Sequence, residues 1–350
     1  MPTLKSIILK LIFNLGIFSL FHYIHRKKIT ILYAHSIVKS SDINSSSWQP
    51  LRVQHNTDEL TFTLSTLSER YQFISLSTAN KILKEEIKPI NNALVITLDD
   101  GYLNNIKAAG PIFSKFNIHP TIFVSSEHTE KNIPFWFDRL DYALQQIKED
   151  DFSTQILGES FMFDCTSRKR LTTSYSDFRR RIKLQFNDDK IMRNYLDTLS
   201  TSIEMHTGKA LKDVINDDIY AQIASWKELK SATEKFNFEI GSHTINHARI
   251  GLLNENDIDV ELSHSKRTIE YKLQLACNTF CYPDNSCKDT AETLVKKYYQ
   301  CALTTEPGLN KVGDNMIQFK RMNLPTGTNQ HKILYKISAL RLSLQNTILG

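Results

Sequence analysis

Two clusters of residues have the types and spacing to do chemistry. The first is Asp99-Asp100-Gly101-Tyr102, a pair of adjacent carboxylates that closes the apolar run at 93–98. Like charges this close raise each other's pKa unless a cation or strong donors compensate, so a metal ion on one carboxylate explains the pair economically. A turn that ends a strand and caps the next helix explains it equally well. The second cluster is Gly241-Ser242-His243-Thr244-Ile245-Asn246-His247, which directly follows the run Phe238-Glu239-Ile240. Two imidazoles four residues apart on a helical turn share one face and can reach one ion. Either cluster alone is common; together they form an Asp/His/His ligand set with positions left for water and substrate, which is the equipment of metal-assisted hydrolysis. Two histidines and one carboxylate also suit an iron(II) oxygenase, although the H-x-D order and jelly-roll strand pattern of that class are absent.

Such residues need a scaffold that brings them to one edge. Short β-branched runs at 29–35, 71–76, 93–100, 121–125, 238–243, 278–283, 300–305 and 316–322 alternate with stretches of helical periodicity. That alternation predicts βα units around a parallel sheet, and the strand number predicts a closed or nearly closed barrel. Sites in such folds lie at the C-terminal ends of the strands, where both clusters fall. The alternation breaks over about 139–224, read as a helical insertion whose basic run Arg179-Arg180-Arg181 is taken for a solvated face. Residues 329–350 read as a helix capping the barrel.

With 41% hydrophobic and 23% charged residues, and only 11 Gly and 9 Pro among 350, the chain has a full core and is neither collagenous nor disordered. The net charge of +5 is spread without a basic block, which excludes nucleic acid as the expected partner. Five cysteines are an odd number and read as free thiols in a reducing compartment; Cys277, Cys281 and Cys287 lie close in sequence, but a zinc site built from them is the lesser reading.

Residues 7–24 form an apolar stretch interrupted by Lys10, Asn14 and His22 and followed by Arg26-Lys27-Lys28. No small-residue cleavage site follows, and the chain runs straight into the first strand. The segment 1–28 therefore reads as a helix docked on the domain or lying at a membrane surface, with an uncleaved anchor and a cleaved signal as alternatives. The expected location is cytoplasmic, at the inner face of the cytoplasmic membrane, with export left open.

The motifs Thr97-Leu98-Asp99-Asp100-Gly101 and His243-Thr244-Ile245-Asn246-His247 resemble the T-x-D-D-G and H-[ST]-x-x-H motifs of the polysaccharide deacetylases, the carbohydrate esterases with a NodB homology domain. The similarity extends through Trp136-Phe137-Asp138-Arg139-Leu140, Phe280-Cys281-Tyr282-Pro283, Thr304-Thr305-Glu306-Pro307-Gly308 and Arg321-Met322-Asn323-Leu324-Pro325, and looks like the branch with rearranged motif order. The resemblance implies a distorted (β/α)7 barrel over 29–328. It implies that Asp99 is the general base and that Asp100, His243 and His247 hold a divalent ion, zinc in the first place, with cobalt or nickel as substitutes. It also implies an N-acetylated glycan or amino-sugar precursor as substrate.

Two departures stand out. The family's third motif, R-x-P-[YFW], has Cys281 at the arginine position and Asp284 at the aromatic one, so Arg321 is the expected replacement for the arginine that orients the base. The usual C-terminal L-x-H is missing, and His35, closing the first strand, is the expected acid for the leaving amine. The expected function is removal of an N-acyl group, acetyl above all, from an amino sugar. The alternatives are a catalytically impaired glycan-binding protein of the same fold and, more remotely, the iron oxygenase.

Overall fold

The computed structural model describes residues 4–44, 46 and 48–349; residues 1–3 of the expected N-terminal segment and Gly350 of the expected C-terminal helix lie outside them. Seven short strands carry the fold: β1 (Thr30–Ala34), β2 (Ala93–Leu98), β3 (Thr121–Val124), β4 (Glu239–Ser242), β5 (Thr279–Cys281), β6 (Cys301–Leu303) and β7 (Met322–Asn323). They pair in parallel in the order β6-β5-β4-β3-β2-β1-β7. Every residue of β1, β2 and β3 is buried, which is why these runs are continuously apolar instead of alternating. One set of side chains, Ile31, Val95, Phe123, Cys281, Leu303 and Phe319, forms a cluster joined by the helix Leu76–Leu83. Their alternating neighbours Leu32, Leu94, Ile96, Leu98, Ile122 and Phe280 pack with the surrounding helices.

The sheet curls until its edges approach, and the segment 316–324 bonds to both of them. Phe319 N–H donates to Ala302 O at 2.9 Å on the β6 side, and Leu324 N–H donates to Tyr33 O at 2.8 Å on the β1 side. The result is the curled, half-closed barrel of parallel strands that the sequence predicts. The strand expected over 316–322 is regular only at Met322–Asn323, because the segment leaves one partner for the other. That expected over 71–76 shrinks to Gln72–Phe73, beside the start of β2.

The stretch between β3 and β4 has its own core. The helix Trp136–Gln145, α3 (Arg168–Gln185) and α4 (Asp189–Thr207) pack around Phe161, Phe163, Tyr175, Phe178, Ile182 and Leu196. It is not all helical, as expected: Asp151–Ile156 and Glu159–Asp164 form an antiparallel hairpin. Its turn, Leu157-Gly158, has φ of 51° and 79°, the left-handed pair that a two-residue hairpin demands.

At the opposite end of the chain, α1 (Leu4–Asn14) and α2 (Ile17–Ile24) break at Gly16, whose φ is 73°, and bend by 63°. Among the described residues no single helix is long and apolar enough to cross a membrane. The pair packs through Leu9 and Phe18 on Tyr335 and Leu340 of α5 (Gln330–Lys336) and α6 (Ala339–Leu349).

Candidate active site

Strand register alone gathers the predicted residues. Ala34 is level with Leu98, Val124 with Ser242, Ser242 with Phe280, and Cys281 with Leu303. The residues that follow β1, β2 and β4 are His35, Asp99 and His243, so all three emerge on one rim. They line a single cavity with Tyr33, Arg52, Asp100, Phe137, Arg179, His247, Tyr282, Asp284 and Thr305.

Asp99 and Arg321 form the best-defined pair at that rim. The Arg321 guanidinium donates to both carboxylate oxygens of Asp99, each at 2.8 Å, and also to Thr97 Oγ1 at 3.0 Å and Thr304 O at 2.8 Å. It is fully buried and lies 4.6 Å from the centre of the Tyr33 ring. Burial alone would raise the Asp99 carboxyl, but Arg321 holds it below the ordinary carboxylate range, so the group is kept ionised. The expected replacement arginine is therefore in contact with the expected base.

Asp100 sits differently. Its φ of 72° and that of Gly101, 75°, turn the chain sharply off the strand. A side chain at position 101 would also press on Val124, with Cβ 3.1 Å from Cγ1. The histidines approach Asp100 from the other side of the cavity, but not on a helical turn as expected. Thr244 and His247 have φ of 67° and 56°, which breaks any helix. The loop is held instead by Glu261, which accepts from the Ile245 and Asn246 N–H groups at 2.7 and 3.3 Å. The two rings end 4.9 Å apart, centre to centre.

This second group has the donor set of a cation site. Asp100 Oδ1 lies 3.6 Å from His243 Nε2 and 3.4 Å from His247 Nε2, yet it is buried with no hydrogen-bond donor on it. His243 Nδ1 is engaged by Cys281 O at 2.7 Å, which fixes the ring and leaves Nε2 for the cavity. Burial, followed by the neighbouring His247, pushes the His243 imidazole down to about 4, so it is neutral, as a ligand must be. The residues thus fit a divalent ion. Asp99, His243 and Cys281 also lie within ligand range, but both Asp99 oxygens are taken by Arg321 and burial pushes the Cys281 thiol far up. Cys277, Cys281 and Cys287 form no ligand group among the described residues.

His35 is exposed on the cavity wall. Its carbonyl accepts from Asn105 Nδ2 at 2.7 Å and its ring meets Tyr33 edge-on at 5.7 Å. Several residues in and around the cavity were given no role from the sequence. Arg52 comes from the loop before the helix Thr57–Ser68 and binds Tyr102 Oη at 2.7 Å and the Asp138 carboxylate. Phe135 and Phe137 stack 5.2 Å apart and both meet His247 edge-on. His128 is buried and stacked on Phe135 at 4.0 Å. Burial comes first among the influences on Asp284 and would raise it; Lys183 and His247 bring its carboxyl down to about 2.

Comparison with known proteins gives the family and the fold. A family model described as polysaccharide deacetylase matches residues 87–300. The putative polysaccharide deacetylase YxkH of Bacillus subtilis (strain 168) is 33% identical over 98 residues, 28% of this chain and 32% of that protein, so the match spans about a third of that relative. Among solved structures, the Streptococcus pyogenes deacetylase PplD in complex with acetate is similar with a TM-score of 0.56 at 16% identity, over 89% of this chain and 98% of that one. IcaB from Ammonifex degensii gives 0.53 at 14% identity, over 89% and 97%. At these identities the structures share the fold.

Proposed function

The chain belongs to the polysaccharide deacetylase family, and from that premise we propose that it hydrolyses the N-acetyl group of an amino sugar in a bacterial-type glycan or glycan precursor, using a divalent metal ion. The observation that carries the reading is the juxtaposition of a buried Asp/His/His group lacking a donor on Asp100 Oδ1 with a second carboxylate, Asp99, clamped by Arg321. A cation held by Asp100, His243 and His247, zinc in the first place, supplies a Lewis acid that makes a water more acidic and polarises the amide carbonyl.

The protein's own groups do the rest. Asp99, ionised and fixed on both oxygens, accepts the proton of the attacking water. Arg321 keeps that carboxylate from rotating and from drifting up in pKa. His35, exposed on the cavity wall, gives a proton to the departing amine as the carbon–nitrogen bond breaks. Phe135 and Phe137 shield His247 from solvent. The similar PplD structure contains acetate, the product such a reaction would leave. An impaired glycan-binding protein is favoured less: its support was the arginine absent from position 281, and a guanidinium reaches Asp99 from position 321 instead. An acetate-release assay on N-acetylated oligosaccharides and lipid-linked sugars, with zinc supplied, tests the proposal; no release from any of them rejects it.

The bent helix pair is proposed to rest on an anionic lipid surface. Leu11, Leu15, Leu20 and Ile24 are all exposed on it, and Arg26, Lys27 and Lys28 follow at once, a combination suited to the boundary between acyl chains and headgroups.

A further inference from the structure

The run Arg179-Arg180-Arg181 does not form one solvated face. Arg180 pairs with Asp177 at 2.5 Å, and Arg181 pairs with Glu159 and Asp177 on the outside of the insertion. Arg179 turns the other way, into the cavity that holds Asp99, Asp100, His243 and His247. Its guanidinium lies 5.4 Å from the Phe137 ring centre and 5.9 Å from those of Trp136 and Tyr175. Its Nε is buried without a hydrogen-bond partner, and among the described residues no carboxylate lies within ion-pair distance of it.

Every other permanent cation at this cavity is occupied: Arg321 by Asp99, Arg52 by Asp138, and Lys183 by Asp284. Arg179 contributes to the field at Asp284, but Lys183 is the cation bound there. A partly dehydrated guanidinium without an acid is unfavourable unless something completes it. The rings leave its N–H donors free of acid partners at the cavity, and a planar guanidinium fork grips a carboxylate or a phosphate through paired hydrogen bonds. A divalent ion beside Asp100 would make the same cavity still more attractive to an anion.

We infer that Arg179 receives an oxyanion carried by the substrate, a carboxylate or phosphate on the sugar that loses its acyl group or on the sugar next to it. The inference rests on the deacetylase reading and narrows its substrate to acidic amino-sugar compounds. Arg179 is then a specificity residue, and α3 belongs to the substrate site.

The test uses the full-length, zinc-loaded protein with three N-acetylated probes: hyaluronan tetrasaccharide, which carries carboxylates, N-acetylglucosamine 1-phosphate, and uncharged chitotetraose. Arg179→Gln should raise KM for one of the charged probes by about 10- to 100-fold, the range of a charge-assisted hydrogen-bond pair, with kcat and the chitotetraose KM unchanged. Arg179→Lys should fall between. Whichever charged probe responds identifies the anion. Calorimetric titration of the same probes into metal-free protein gives a second readout, in which Arg179→Gln should abolish the preference for the charged probe. Equal effects on charged and uncharged probes, or no effect, overturn the inference, as does recovery of the Arg179→Gln defect by adding Asp284→Asn, which would make Arg179 a mere counter-charge. Absence of acetate release with charge-selective binding intact rejects the deacetylase reading and leaves Arg179 as an anion-binding residue only.

Discussion

Arg321 Nη2 lies 2.9 Å from Sγ of Cys281, the residue that stands where the resemblance expects an arginine. The cation that meets Asp99 comes from the segment that closes the barrel and not from β5. Cys281 is small and buried, and its size leaves room for a guanidinium arriving from across the barrel.

This arrangement predicts a compensation. Arg321→Gln should lower folding stability by about 3 kcal/mol or more, because it leaves a buried carboxylate without its cation, and should lower turnover at least tenfold. Restoring the motif with Cys281→Arg in an Arg321→Ala background should recover part of both. Chemical denaturation and acetate release measure the two effects. An Arg321→Gln protein as stable and active as the parent would refute the role assigned to the pair.

Ligands and base should separate cleanly. After dialysis, metal analysis of a His243→Ala/His247→Ala double variant should find no stoichiometric zinc. Asp99→Asn should keep the ion and lose roughly 10²- to 10⁴-fold in kcat, the usual contribution of a positioned base. Full hydrolysis by metal-stripped protein would eliminate the metal-dependent reading.

Because His35 is exposed on the wall and not packed beneath the site, its removal should be thermally silent. His35→Gln should lower kcat on an amide by roughly 10²- to 10⁴-fold with KM, zinc content and melting temperature unchanged. An activated ester, whose leaving group needs no proton, should be cleaved almost normally. Equal loss on ester and amide, or loss of zinc, would show that His35 is not the acid.

Sedimentation with vesicles tests the placement of the bent helix pair. Protein should pellet with phosphatidylglycerol vesicles, remain free with phosphatidylcholine, and be released by high salt. Leu15→Asp with Leu20→Asp should abolish pelleting without changing melting temperature, since both side chains are exposed. Protein that stays in the supernatant with both lipids would argue against a membrane contact.

One buried acid outside the cavity should make stability fall with pH. Burial raises the Asp141 carboxyl to about 7 although the Leu51 N–H and the Gln145 amide oppose it. Folded protein therefore holds a proton that the unfolded chain releases near 4, so stability declines from about pH 4 to 7, by at most about 4 kcal/mol. Asp141→Asn should be more stable than the parent at pH 8, with the gap narrowing toward pH 5. Parallel denaturation curves at both pH values would contradict this.

What the sequence displayed plainly was the chemistry that ends strands. Asp99, His243 and His35 each directly follow a strand, and a parallel sheet in register is enough to bring them together. The parallel fold was legible for the same reason, since fully buried strands leave unbroken β-branched runs. Arg52 was hidden because it reaches the cavity from a loop, where no periodicity fixes direction. Arg179 was hidden by its neighbours: in sequence it is one of three identical residues, and only the packing of α3 on the aromatic segment 135–137 sends it inward. The two histidines were read on a helical turn because spacing carries no information about the left-handed residues between them. The hairpin at 151–164 was legible in principle, since Phe161 and Phe163 are buried around exposed Met162, but the surrounding helical periodicity masked an alternation only a few residues long.

The closing segment has a consequence for how the chain reaches its native state. Asp99 and Arg321 stand 222 residues apart, and the stretch that delivers Arg321 is also the one that bonds β6 to β1. Strands β1 to β6 can associate earlier in synthesis, but until the segment 316–324 arrives the Asp99 carboxylate faces the barrel interior without the cation that pairs with it. Such a distant contact is among the last that loop-closure entropy lets a chain make. Sealing the barrel and pairing the buried Asp99 carboxylate with its cation are thus one event, and the candidate site assembles only after residue 321 has been made.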